Sequence, residues 1–306
     1  MSPSTLCLLT LLMLISAPCT RADDSFLTAV APGVYMHHGQ MADIDDAARG
    51  DSANLGVVVG ARCVAVIDTG GSLATGRALR AAIEQLTDKP ICHVINTHVH
   101  FDHVLGNAAF AEGGAEFVGA ARLADNLEAS RDFFIENFSA ELDGRRDAAA
   151  LVTPSRLVAE PTRLDLGERT LLLTAVATAH TETDLTVLDE KSGTLFSGDL
   201  VFRERLPVLD GSVKGWLAWL KAASGLSYAR VVPGHGPLDE HWPQGALVEQ
   251  TYLDALLVDT RAAIARGEFI EDAKHSVATR ELAHWQLTAR AHPLNVSRAF
   301  RELEWE

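Results

Sequence analysis

Thr97-His98-Val99-His100-Phe101-Asp102-His103 constrains this chain more than any other stretch. Three imidazoles and a carboxylate fall within six positions, directly after Val94-Ile95-Asn96, which reads as the end of a strand. His98 and His100 are two apart, so on extended chain they point the same way. Asp102 and His103 are neighbours. They diverge on a strand but converge on a second point if the chain turns there. One short segment can therefore serve two metal ions a few Å apart. Imidazole plus carboxylate is a donor mix that suits Zn²⁺.

The pattern around this segment is that of layered α/β structure. Val30 to Met36 reads as a first strand, ending at His37-His38-Gly39. Residues 40–53 are polar and without periodicity, a loop long enough to be functional. His37 and His38 border it, either as functional groups or as a solvated strand end. Leu55 to Val59 and Cys63 to Ile67 form a hairpin around Gly60-Ala61-Arg62. Asp68 closes the second run, either as a hydrogen-bond acceptor for the far nitrogen of a ligand histidine or as a plain turn residue. Leu73 to Leu86 has helical spacing, and strand Ile91 to Asn96 then delivers the histidine cluster.

Further on, Glu116 to Val118 reads as a strand and Ala120 to Leu142 as helical. Arg163 to Leu166, Thr170 to Val176, Leu185 to Leu188, Thr194 to Phe196 and Arg230 to Val232 read as strands, and Gly211 to Ala223 as an amphipathic helix. Residues 237–306 show only helical patterns: Glu249 to Arg266, Glu271 to Ala291 and Asn295 to Leu303. The loop at 40–53 and the aromatic stretch Phe133 to Phe138 are expected to shape a pocket mouth.

The chain has 306 residues, 47% hydrophobic and 22% charged, with a net charge of −15. A field of that sign repels nucleic acid and anionic lipid, so neither is an expected partner. Leu6 to Ile15 is an apolar block the size of a signal-peptide core and too short to span a bilayer. Small residues lead to a cleavage site near Ala22, although residues 1–5 lack Lys or Arg. The expectation is an exported, periplasmic or secreted protein without membrane insertion of the mature chain. The expected domains are a signal segment (1–22), a main α/β domain (23–240) and a helical extension packed on it (241–306). Cys63 and Cys92 remain after cleavage. They can pair if their strands are neighbours, or be two small buried apolar residues. The second of these is the expectation.

Three later residues repeat the theme of a ligand at or near a strand end, where ligands gather in layered α/β sheets: His180, Asp199 in Ser197-Gly198-Asp199, and His235 in Gly234-His235-Gly236. Together with the first cluster they resemble the motifs of the metallo-β-lactamase superfamily, over roughly residues 30–240. That resemblance implies a four-layer αβ/βα sandwich, here with a helical C-terminal tail. It implies two zinc ions, with Fe or Mn also able to fill the sites. His98, His100 and His180 would hold one, Asp102, His103 and His235 the other, and Asp199 would bridge them. Asp102 would also orient the attacking water or take its proton.

The resemblance implies a hydrolase acting on an ester, thioester, lactone or amide of a small metabolite. A β-lactamase is a second function in the same family, but antibiotic-hydrolysing members do not usually carry Asp at the position of Asp199, which argues against β-lactam turnover. A persulfide dioxygenase-like iron oxidoreductase is a third, and a metal-dependent binding or maturation partner of a quinoprotein a fourth. Val34-Tyr35-Met36-His37-His38-Gly39, the ending Glu302-Leu303-Glu304-Trp305-Glu306 and the exported character resemble a narrower group, the quinoprotein relay system zinc metallohydrolases. That group implies work beside a PQQ-dependent periplasmic dehydrogenase system.

Overall fold

The computed structural model describes residues 25–306, so the expected signal segment lies outside the described residues. Two sheets form the centre. The first has seven strands in chain order: β1 (Thr28–Ala31), β2 (Val34–His37), β3 (Leu55–Val59), β4 (Val64–Ile67), β5 (Ile91–Ile95), β6 (Glu116–Ala120) and β7 (Arg156–Val158). β1 to β4 are antiparallel neighbours, and β4 to β7 run parallel. The second sheet holds β8 (Thr162–Asp165), β9 (Thr170–Ala175), β10 (Leu185–Asp189), β11 (Thr194–Phe202) and β12 (Arg230–His235), in the order β12-β11-β10-β9-β8.

The sheets pack face to face through one apolar cluster. Val58, Ile67, Ile95 and Val118 of the first sheet meet Leu171, Val187, Phe196 and Val232 of the second. Helix α1 (Leu73–Leu86) covers the outer face of the first sheet through Leu73, Leu79 and Ile83. Ser72 caps it by accepting from the Thr75 N–H at 3.0 Å. The second sheet is covered by α5 (Val213–Ser224), α6 (Leu247–Ala265) and α8 (Thr288–Leu303), which share a core around Trp216 and Tyr252. The expected αβ/βα layering is therefore present, and both sheets send their strand ends to one edge. Among the described residues no helix is long and apolar enough to cross a membrane.

Several expectations need correction. The run Val30 to Met36 is split between β1 and β2, because Gly33 turns at φ +73° and pairs the halves as a hairpin. The long helix at Ala120 to Leu142 is two short ones, α3 (Leu123–Ala129) and α4 (Arg131–Asn137). In the tail, the helix expected over Glu271 to Ala291 is broken into α7 (Ile270–Ala273), a 3-10 helix (Thr279–His284) and the start of α8, which begins earlier than expected. Cys63 and Cys92 form a disulfide, contrary to the apolar reading. β4 and β5 are adjacent, which brings the two Cα atoms to 5.8 Å, an ordinary bridging separation.

Candidate metal centre

After β5, Asn96 to His100 continue without helix, and His100 sits at the N-cap of the one-turn helix α2 (Phe101–Val104). The chain does turn where the sequence required it. His98 and His100 lie on the extended part; Asp102 and His103 lie on the helical turn. β11 runs through Asp199 rather than stopping at Phe196, and His235 ends β12. The register of β11 on β12 is irregular between Gly198 and Phe202, which is where Asp199 needs to leave the pleat. Gly198 adopts φ +53°, and Gly234 passes so close that a Cβ there would meet Asp199 Oδ1 at 1.9 Å.

All seven sequence-predicted residues converge. His98, His100, His180 and Asp199 form one group of potential ligand atoms, and Asp102, His103 and His235 a second; within each group the atoms lie within 4.8 Å of one another. Asp199 stands between them. It is 3.7 Å from His98, 3.5 Å from His180, 3.3 Å from His235 and 3.1 Å from His103.

Each imidazole is fixed from outside by one nitrogen and turned inward by the other. His98 Nδ1 meets the Thr97 hydroxyl at 3.0 Å. His103 Nδ1 donates to Asp68 Oδ2 at 2.7 Å, and His180 Nδ1 donates to the Val208 carbonyl at 2.6 Å. His235 Nδ1 faces the Ser52 carbonyl at 2.9 Å. His100 reverses the pattern: Nε2 meets Asp210 Oδ2 at 3.0 Å and Nδ1 faces inward, 3.0 Å from His180 Nε2. Carbonyl and carboxylate partners on the far nitrogen set the tautomer of a ligand histidine and hold its ring. The inward atoms His98 Nε2, His103 Nε2 and Asp199 Oδ1 are buried with no hydrogen-bond partner. Such orphaned polar atoms are costly unless something else satisfies them. This donor set of imidazole nitrogens and carboxylate oxygens, without sulfur, fits a pair of divalent cations.

The electrostatics agree. Burial lowers the His180 pKa to about 3, and burial with His103 alongside pushes His98 well below its ordinary value. Both rings are neutral and present a lone pair. Burial opposes charge on Asp199, but His235, His103 and His98 outweigh it and hold the carboxyl well below the usual range. For Asp102 burial is likewise outweighed, by His103, His235 and Arg205. Asp102 Oδ2 also accepts from the Ser52 hydroxyl at 2.9 Å.

Of the two readings of Asp68, the hydrogen-bonding one holds. Besides His103, it accepts from the Thr97 N–H at 2.8 Å and the Thr97 hydroxyl at 2.7 Å, from a left-handed backbone at φ 58°. His37 is structural: it stacks on Phe26 and bonds Asp51 at 2.7 Å. His38 lies outside both ligand groups.

Arg205 and Asp210 went unnoticed in the sequence. They lie in the connection between β11 and α5, which has no periodicity or motif. Helix α8 holds that connection. Asn295 donates to the Pro207 carbonyl at 2.7 Å and accepts from the Leu209 N–H at 2.8 Å, while Arg298 pairs with Asp210.

A pocket of about 380 Å³ opens over the cluster. Asp43 and Ile44 from the 40–53 loop line it, together with Phe133, Phe134 and Phe138 and with Arg290, Ala291, Leu294 and Arg298 of α8.

Comparison with known proteins agrees with this architecture. Acyl-coenzyme A thioesterase MBLAC2 of Gallus gallus is 30% identical over 182 residues, 56% of this chain and 62% of that protein, so the chain spans under two thirds of its relative's length. Three solved structures share the fold. The inverting sec-alkylsulfatase Pisa1 from Pseudomonas sp. matches with a TM-score of 0.70 at 15% identity, over 91% of this chain and 50% of that one. A beta-lactamase domain protein from Burkholderia ambifaria gives 0.68 at 18%, over 94% and 89%. A metallo-beta-lactamase from Pontibacter korlensis gives 0.59 at 20%, over 74% and 98%. The model of the metallo-beta-lactamase superfamily matches residues 48–235, which span the first histidine cluster, His180, Asp199 and His235. A chain with that match, this sandwich and these paired ligand groups belongs to the metallo-beta-lactamase superfamily.

Proposed function

We propose that this protein is an exported hydrolase holding two zinc ions, cleaving an ester, thioester, lactone or amide bond of a small metabolite. A thioester is the first choice, because the similar protein from Gallus gallus is named an acyl-coenzyme A thioesterase. The observation that carries the reading is the set of five imidazoles, each anchored at one nitrogen and aimed inward by the other around two carboxylates. His98, His100 and His180 would hold one ion, Asp102, His103 and His235 the other, with Asp199 between them.

Bound there, the ions would supply Lewis acidity and bring the pKa of water from about 16 toward about 7. The chain's own groups do the rest. Asp102, kept ionised by its neighbours and steadied by Ser52, orients a water or takes its proton. Asp210 and the Val208 carbonyl keep the rings of His100 and His180 in place. The phenylalanine wall over the centre limits the access of bulk water.

The Cys63–Cys92 bridge supports an oxidising compartment and hence export. A role beside a PQQ-dependent dehydrogenase system is part of the proposal and rests on the sequence resemblance alone. Metal-to-protein stoichiometry, with a screen of ester, thioester, lactone and lactam substrates, tests the reading. Two divalent ions per chain and chelator-sensitive turnover of an acyl substrate, abolished in Asp102→Asn, are expected. A purified chain that binds no divalent ion, or whose only substrates are β-lactam antibiotics, overturns it.

A further inference from the structure

The pocket over the centre has two chemically different kinds of lining. One is aromatic: Phe134 and Phe138 are buried, while Phe133 extends the wall outward and remains 55% exposed. The same pocket is also lined by a stripe of α8 at helical spacing, Arg290, Leu294 and Arg298. Leu294 is also left 47% exposed. Apolar side chains held open to water in one pocket bury further surface when an apolar ligand enters.

The charged groups are not equivalent. Arg298 is engaged by Asp210, which in turn holds His100. Arg205 faces Asp102 and His235. Among the described residues Arg290 is held by Asp45 alone, whose side chain is 81% exposed, and so exposed a pair has little net worth. In a chain of net charge −15, a recruitable arginine at the pocket mouth runs against the overall field and favours an anion there.

We propose that the pocket takes an amphiphilic anion. Its acyl bond lies over the His/Asp cluster, its apolar arm between the phenylalanine wall and Leu294, and its distal anionic group on Arg290. This deepens the hydrolase reading and rests on it for the placement of the acyl bond.

The test is calorimetric titration of the metal-loaded protein with butanoate, octanoate and octanedioate, none of which is a substrate. Affinity should rise by about fourfold for each methylene buried, so octanoate binds well over tenfold tighter than butanoate. Octanedioate should gain a further few-fold from Arg290, lost at high salt. Phe133→Ser should cut the octanoate-to-butanoate ratio by about threefold or more. Arg290→Gln should abolish only the octanedioate advantage. Affinity indifferent to chain length in the wild type, or an octanedioate advantage that survives Arg290→Gln, overturns the proposal. Hydrolysis of matched esters and thioesters separates the two readings. The binding pattern without turnover sinks the hydrolase and leaves the ligand class standing; turnover with a flat binding series does the reverse.

Discussion

At the scale of single residues, the site depends on groups that touch its ligands from behind. Asp210 bonds the far nitrogen of His100. Asp210→Asn preserves shape but removes the charge that favours the inward lone pair, so metal affinity should fall about 10-fold to 100-fold. Competition with a chromophoric chelator measures it, and unchanged circular dichroism separates the effect from misfolding. Asp184 makes a different prediction. Burial raises its pKa to about 7 against the hydrogen bonds from Thr181. The folded state then keeps a proton that the unfolded chain loses near pH 4, so stability falls as pH rises from about 4 to about 7 and levels off above. Urea unfolding in chelator at pH 5 and pH 8 should show this fall in the wild type and a smaller one in Asp184→Asn.

At the scale of elements, α8 couples the tail to the candidate metal centre. Asn295 is fully buried and bonds the Pro207 carbonyl, the Leu209 N–H and the Tyr252 hydroxyl. The Val208 carbonyl between the first two is the anchor of His180. Asn295→Ala leaves buried polar groups unpaired and should cost about 1–3 kcal/mol. It should also weaken metal binding, although Asn295 touches no ligand; denaturant melts and metal competition on one preparation check both. The disulfide acts on the unfolded chain instead. It closes a loop with a sequence separation of 29, and the Cys63→Ala/Cys92→Ala pair should lose roughly 3–4 kcal/mol by loop-closure entropy while metal stoichiometry stays unchanged. Helix α1 was legible to the residue, because its cap and its buried Leu73, Leu79 and Ile83 are all local signals. The paired cysteines were not, because adjacency of β4 and β5 is a property of the sheet.

At the scale of the whole molecule, both sheets present their strand ends to one edge, and ligands distant in the chain meet there. Two ions held by the proposed ligand groups would tie the sheets together, so chelation should lower the thermal midpoint and added Zn²⁺ restore it. At a thousandfold excess over Kd the stabilisation is about 4 kcal/mol, read by calorimetry with and without chelator. The sequence by itself determined the donor set. The seven ligand candidates, the sandwich layering and the anionic surface follow from residue types and short-range spacing, which local covalent geometry converts into direction. Only the tertiary structure decided which groups stand behind those ligands. Arg205, Asp210, Asn295 and the Cys63–Cys92 bridge act across distances in sequence that no periodicity marks, and their partners are chosen by how sheets and helices pack.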